Sequence, residues 1–323
     1  MLDIKKIKKN LGKFSNFKKL SKNKKNIDHK KIKSLKFYIL LAIILNIGFI
    51  IFSNFYYINK KNSEYQQIAN HIATEFEGFL NYSQLLLNSV NHEILKNKIF
   101  SDKTVDILTS IDRVRRQNII ANDLYFEGML YWIDSNKYLI ASSAGKVLKP
   151  IDLSSRDYLE KTEHEPWKLH VGKVIVGALS GQNILPIAVG VASEKGNHLG
   201  TSVLSVKIES LISKINISLQ KTSLDFAIIS NDGNLVFETK KNIIDKKTLA
   251  KINKNSSLKN GPIKEFNILN RHSNFMVASR IIDYPFTIIY SSDKKIIYHD
   301  LWKNLLPYFL NIFVLLIIYY KSR

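Results

Sequence analysis

Apolar positions are spaced in three different ways along this 323-residue chain, and each spacing predicts a different element. Two stretches are apolar without interruption. Residues 37–58 hold 22 positions with no charge, and residues 304–320 hold 17. As helices they would be roughly 33 and 26 Å long, against a hydrocarbon core of about 30 Å. The pattern predicts two membrane spans, with residues 59–303 looped out on one side. Tyr56 and Tyr57 close the first run, and Trp302, Tyr308, Tyr319 and Tyr320 lie near the ends of the second, where amphipathic rings favour the headgroup level. The first run has a long basic lead and no small-residue cleavage site after it, so it reads as an uncleaved anchor. The second contains Pro307 and Asn311.

The second spacing is helical. Tyr65, Ile68, Ile72, Phe76, Phe79, Ser83, Leu86, Val90 and Ile94 recur at steps of three and four and keep one face. They predict a long helix over 59–99, and Ser101 caps a further helix over 101–111. The third spacing is that of strands. Residues 129–133 and 138–142 flank the turn Asp134-Ser135-Asn136-Lys137 as a hairpin. A loop containing Pro150 leads to a short helix over 155–162. Strands follow over 173–179, 184–192 and 198–206, then a helix over 207–219. This makes a module at 100–220 with an antiparallel sheet of about five strands and helices on one face, α+β by layer logic. A second module at 221–303 repeats the theme and ends in a connector. Strands 225–230 and 235–238 flank Asn231-Asp232-Gly233-Asn234. A helix over 244–253 and strands over 263–269, 275–281 and 286–291 complete it.

Charge sets the orientation. Residues 1–36 contain 14 Lys and no Arg, opposed by Asp3 and Asp28, which is +12 of the chain's +21. Positive charge beside a span stays in the cytoplasm, so the N-terminus is expected there. Lys321 and Arg323, in the closing segment 321–323, place the C-terminus on the same side. The expected location is a bacterial inner membrane, with the middle of the chain periplasmic or extracellular. Within the tail, Ile4, Ile7, Leu11, Phe14 and Phe17 form an apolar stripe among lysines, a pattern suited to anionic lipid. Nucleic acid would attract the same charge, but a tethered tail meets lipid first, so no nucleic acid is expected.

Candidate chemistry is sparse. There is no cysteine, so disulfides and thiolate metal sites are excluded. Ser180, in Gly177-Ala178-Leu179-Ser180-Gly181, lacks the spacing and the following helix of a nucleophile elbow. His164 and His170 lie near Glu163 and Glu165, but histidines near a loop are usually solvated. No phosphate-binding glycine loop is present. Neither an enzyme, nor a metal, nor a cofactor is expected.

Several stretches between the spans resemble the double Cache (PAS-like) extracytoplasmic sensor domains. They are Tyr131-Trp132-Ile133-Asp134 with Ile140-Ala141-Ser142-Ser143, where Asn136-Lys137 replaces the usual Gly, and Asp152-Leu153-Ser154-Ser155-Arg156-Asp157-Tyr158, similar to the family's R-x-Y/W signature. Gly177-Ala178-Leu179-Ser180-Gly181, Gly196 and Gly200-Thr201-Ser202-Val203 continue the order. The resemblance implies two PAS-like sheet modules on a long helix, with a small solute bound in the membrane-distal one. It implies Arg156 and Tyr158 as ligand contacts, since a guanidinium presents a planar fork to a carboxylate. Trp132, Trp167 and Ser180 are secondary candidates for the pocket wall. In amino-acid-binding members a Tyr and an Asp recognise the ligand's amine. Ile151 and Gly177 stand there, which leaves a carboxylate, another anion or no solute. The expected partners are a second copy of the chain and a separate kinase or other output protein, because no output domain follows the second span. A ligand-free domain that docks a protein partner, and the remnant of a truncated sensor kinase, are the competing readings.

Overall fold

The computed structural model describes residues 4–118, 126–220, 224–241, 243–244 and 274–321. The predicted strand at 263–269 and, beyond its first residue, the predicted helix at 244–253 lie outside them. The chain divides into two compact units, residues 1–62 with 294–323 and residues 63–293. Helix α1 (Ile4–Asn97) contributes to both.

In the first unit, the early part of α1 is joined by α5 (Lys294–Lys321), which contains Pro307. Both helices are long and apolar enough to cross a membrane, and only 6% of either apolar window is buried within the protein. That exposure distinguishes them from core helices of a soluble protein. Each carries an asparagine near the middle of its apolar run, and these two meet. The Asn311 amide donates to Asn46 Oδ1 at 3.3 Å, while the Asn46 amide donates back to the Ala42 carbonyl at 2.8 Å. Phe49 and Tyr308 stack beside them with centroids 6.1 Å apart.

The second unit holds two antiparallel sheets. The larger comprises β1 (Gly128–Asp134), β2 (Tyr138–Ser142), β3 (Gly145–Asp152), β4 (Leu169–Val171), β5 (Ile175–Val176), β6 (Asn183–Ala192) and β7 (His198–Lys207). Its order is β3-β2-β1-β7-β6-β4, with β5 also on β6. Two strands were not anticipated. Pro150 reads as a strand breaker, yet β3 is an edge strand, where a missing amide donor costs no ladder bond. The predicted strand at 173–179 is replaced by two shorter ones, β4 and β5, on either side of residues 172–174. The smaller sheet has the order β10-β11-β8-β9, from β8 (Asp225–Ser230), β9 (Leu235–Glu238), β10 (Asn274–Arg280) and β11 (Phe286–Asp293).

Helix α1 braces both sheets along the predicted face. Phe79 meets Phe126, just ahead of β1, with ring centroids 4.3 Å apart, and Phe76 meets Phe286 of β11 at 6.1 Å. Leu87, one position beyond the predicted Leu86, is the fully buried residue of its turn. Helix α2 (Thr104–Asn118) is fastened by a buried charge cluster. The Arg115 guanidinium donates to Asp112 Oδ1 at 2.7 Å and to the carbonyls of Phe126 at 3.3 Å and Gly128 at 2.8 Å. Helix α4 (Ile208–Ser218) follows β7 directly.

Candidate functional site

The segment that follows β3 is shaped by Asp152. Its carboxylate accepts the Ser154 amide at 2.8 Å, a contact that holds it below the usual Asp range, and the Arg156 amide then bonds the Leu153 carbonyl at 2.9 Å. This tight turn ends at α3 (Asp157–His164), with Arg156 as its N-cap residue. Asp157 and Glu160 in the first turn complement the helix dipole.

Helix α3 lies on one face of the large sheet. Tyr158 and Leu159 are 4% and 2% exposed and pack with Tyr131, Ile133, Leu153, Ala188 and Val203. Burial pushes the Tyr158 phenol up to about 12, against a smaller opposing effect of Arg156, so it is a neutral donor at physiological pH. Tyr131 is raised by burial in the same way, and Ser205 faces its hydroxyl. The Tyr158 ring is backed by Gly172. A Cβ at that position would lie 2.8 Å from both Tyr158 Cδ1 and Pro186 Cγ, so glycine lets the chain leaving β4 pass here without displacing either ring. The Arg156 side chain is half-buried. Among the described residues its guanidinium has no ion pair within 4.0 Å, with Asp152 and Asp157 included.

The structure thus brings Arg156 and Tyr158 together and sends the other three predicted residues elsewhere. Trp132 lies between Tyr131 and Ile133 on β1. Successive strand side chains point to opposite faces, so Trp132 is turned away from α3. It is fully buried there against Gly200, whose added Cβ would come within 2.4 Å of the indole ring. Trp167 follows the end of α3 at φ 72°, is 43% exposed, and is anchored by its amide to the Gly190 carbonyl at 3.0 Å. Gly190 is four residues along β6 from Pro186, about 13 Å by strand rise. Ser180 is consumed by its own turn, where its hydroxyl accepts the Gln182 amide at 3.3 Å. Tyr131 and Gly172 lie beside Tyr158 and were not among the predicted residues. Alternation in β1 could have paired Tyr131 with Ile133 on one face, but nothing in the sequence says which face α3 covers.

His170 is also accounted for. Its Nε2 lies 3.0 Å from the Glu165 carbonyl, which can only accept, so that nitrogen carries the proton. Among the described residues no three His, Asp or Glu side chains come together in a form that could hold a metal ion. A cavity of about 520 Å³ opens below α3, between β4 and the β8–β9 turn, and neither Arg156 nor Tyr158 lines it.

A family model described as Cache domain matches residues 56–301. Among solved structures, the extracellular domain of the histidine kinase candidate rpHK1S-Z16 superposes with a TM-score of 0.54 at 12% identity, over 73% of this chain and 95% of that one. The ligand-binding domain of the Pseudomonas fluorescens chemoreceptor CtaA, in complex with L-isoleucine, gives 0.53 at 15% identity over 75% and 95%. The extracellular domain of a second histidine kinase candidate, soHK1S-Z6, gives 0.51 at 14% identity over 76% and 99%. No curated protein sequence matches the chain.

Proposed function

The chain belongs to the Cache domain family, and from that premise we propose that it is a membrane-bound sensor whose distal module reads the carboxylate of a small solute through Arg156 and Tyr158. One observation carries the reading: the half-buried Arg156, without an ion pair among the described residues, stands two residues from Tyr158, a neutral, buried phenol whose titration it influences. A planar cation beside a hydroxyl donor is matched to the two oxygens of a carboxylate. The CtaA domain holds L-isoleucine, which bears both an amine and a carboxylate. Here Ile151 packs as an apolar side chain against the same cluster, and Gly177 offers no side chain at all. Neither can balance an ammonium, so a carboxylate without an adjacent amine is favoured.

The two apolar helices anchor the domain in a bacterial inner membrane. The lysine-rich segment 1–36 lies on the cytoplasmic leaflet and contacts anionic lipid, in keeping with its charge and apolar stripe. Two copies pair, and a separate output protein receives the signal.

Thermal unfolding of the full-length chain in nanodiscs, screened against carboxylates, amino acids and neutral solutes, tests the proposal. Stabilisation is RT ln(1 + [L]/Kd), about 2.7 kcal/mol at a hundredfold excess over Kd. Stabilisation by an amine-free carboxylate that disappears in Arg156→Ala is the expected result. Stabilisation that persists in Arg156→Ala, or that no carboxylate produces, sinks it.

A further inference from the structure

The cavity of about 520 Å³ below α3 is bounded by both modules of the second unit. Its distal wall comes from α3 and β4, and its proximal wall from the β8–β9 turn and the start of β11. One main-chain bond, from the Val174 amide to the Val236 carbonyl at 3.3 Å, ties the two walls together. The volume lies within the roughly 300–1,000 Å³ range of small-molecule sites.

Its chemistry is divided. Val171, Val236 and Phe286 supply apolar surface, and Lys161 and Lys173 supply ammonium groups. Neither lysine makes an ion pair within 4.0 Å among the described residues. Two carboxylates share the rim. Asp232 is held by its own turn, through the Ser230 hydroxyl and the Asn234 amide at 2.8 Å, and these contacts, with a smaller attraction from the Lys161 ammonium across the cleft, keep it below the ordinary Asp range. Asp157 stands one turn before Lys161 on α3, again with no ion pair. His170 presents no proton to the cavity from Nε2, because that nitrogen is committed to Glu165.

We propose that this inter-module cleft is a second binding site, taking a small monocarboxylate with an apolar body, its carboxylate held by Lys161 and Lys173. Lys161 is carried by α3, the helix capped by Arg156, and Gly172 lines the cleft and lies so near the Tyr158 ring that an added Cβ would come within 2.8 Å of it. An occupant that draws the two walls together therefore bears on the residues of the distal site, and any such coupling acts equally in both directions.

Benzoate is the probe, followed by saturation-transfer NMR on the full-length chain in nanodiscs, with benzamide as its uncharged counterpart. Saturable benzoate binding tighter than about 10 mM, a weak but measurable affinity, is expected, with benzamide failing to compete. The double variant Lys161→Gln/Lys173→Gln should weaken benzoate at least tenfold at an unchanged melting temperature. A control of equal charge, Lys149→Gln/Lys195→Gln, should not. Absence of saturable benzoate binding overturns the proposal, as does equal weakening in the control pair. Binding that survives the cleft variant but is lost in Arg156→Ala would place benzoate at the start of α3. That outcome would refute the cleft and leave the distal reading standing.

Discussion

Replacing Arg115 with methionine should destabilise the second unit more than almost any other single change on α2. Arg115 is 5% exposed and Asp112 is 3% exposed, so the pair is out of water. Its guanidinium is held by Asp112 at 2.7 Å and by the carbonyls of Phe126 and Gly128 at 3.3 and 2.8 Å, among other contacts. Methionine keeps the apolar stem and removes the charge. Among the described residues Asp112 then keeps Arg116 as its ion-pair partner, whose side chain is 55% exposed and donates at 2.8 Å. Removing one partner of a buried pair costs about 3–5 kcal/mol, and an exposed partner offsets about 1 kcal/mol at most. The net expectation is about 3 kcal/mol, or about 6–12 °C in melting temperature for a domain of this size. Unfolding followed by tryptophan emission suits the purpose, because Trp132 is fully buried in the same module. The double variant Asp112→Leu/Arg115→Met should recover much of the loss, since no buried charge is then left alone. A single variant melting within about 2 °C of the parent, or a double variant worse than the single, refutes the reasoning.

Other outcomes follow from the same contacts. Gly172→Ala forces a Cβ to within 2.8 Å of Tyr158 and Pro186, and overpacking of this kind should cost about 1–3 kcal/mol in thermal unfolding. Tyr158 and Tyr290 both have folded values near 12 against 10 when unfolded. The stability they contribute is therefore complete below pH 10 and lost as pH rises toward about 12, and Tyr158→Phe should flatten that alkaline decline in a pH series of melts. His198 is depressed below 6.5, first by burial, with Glu163 opposing and Lys137 assisting. Its contribution is present above pH 6.5 and fades as pH falls below it. His198→Gln should remove that part of the acid sensitivity, and an unaltered slope would contradict it.

Arg156 and Tyr158 stand two residues apart at the start of α3, so their nearness along the chain is readable from the sequence. Alternation puts Trp132 on the face of β1 opposite Tyr131 without naming which face a helix covers. Trp167 and Ser180 sit in loops, and loop direction depends on distant anchors, here Gly190 for the first and Gln182 for the second. Gly172 carries no side chain to read, and its importance exists only because Tyr158 and Pro186 converge on it. The Asp112–Arg115 cluster went unnoticed for a related reason. An acid and a base three residues apart on a helix look like an ordinary solvated pair until β1 buries them.

Local pattern carried what has a clear period: the two uncharged apolar runs, the buried stripe of α1, and most of the strands and their turns. Periodicity is a property of neighbouring residues, and the hydrophobic effect acts on it wherever the rest of the chain goes. Tertiary structure alone decided the edge position that admits Pro150 into β3, the face of β1 that looks at α3, and the meeting of α3 with the β8–β9 turn around a cavity. Those depend on residues dozens of positions apart arriving at one place, and no local pattern carries that information.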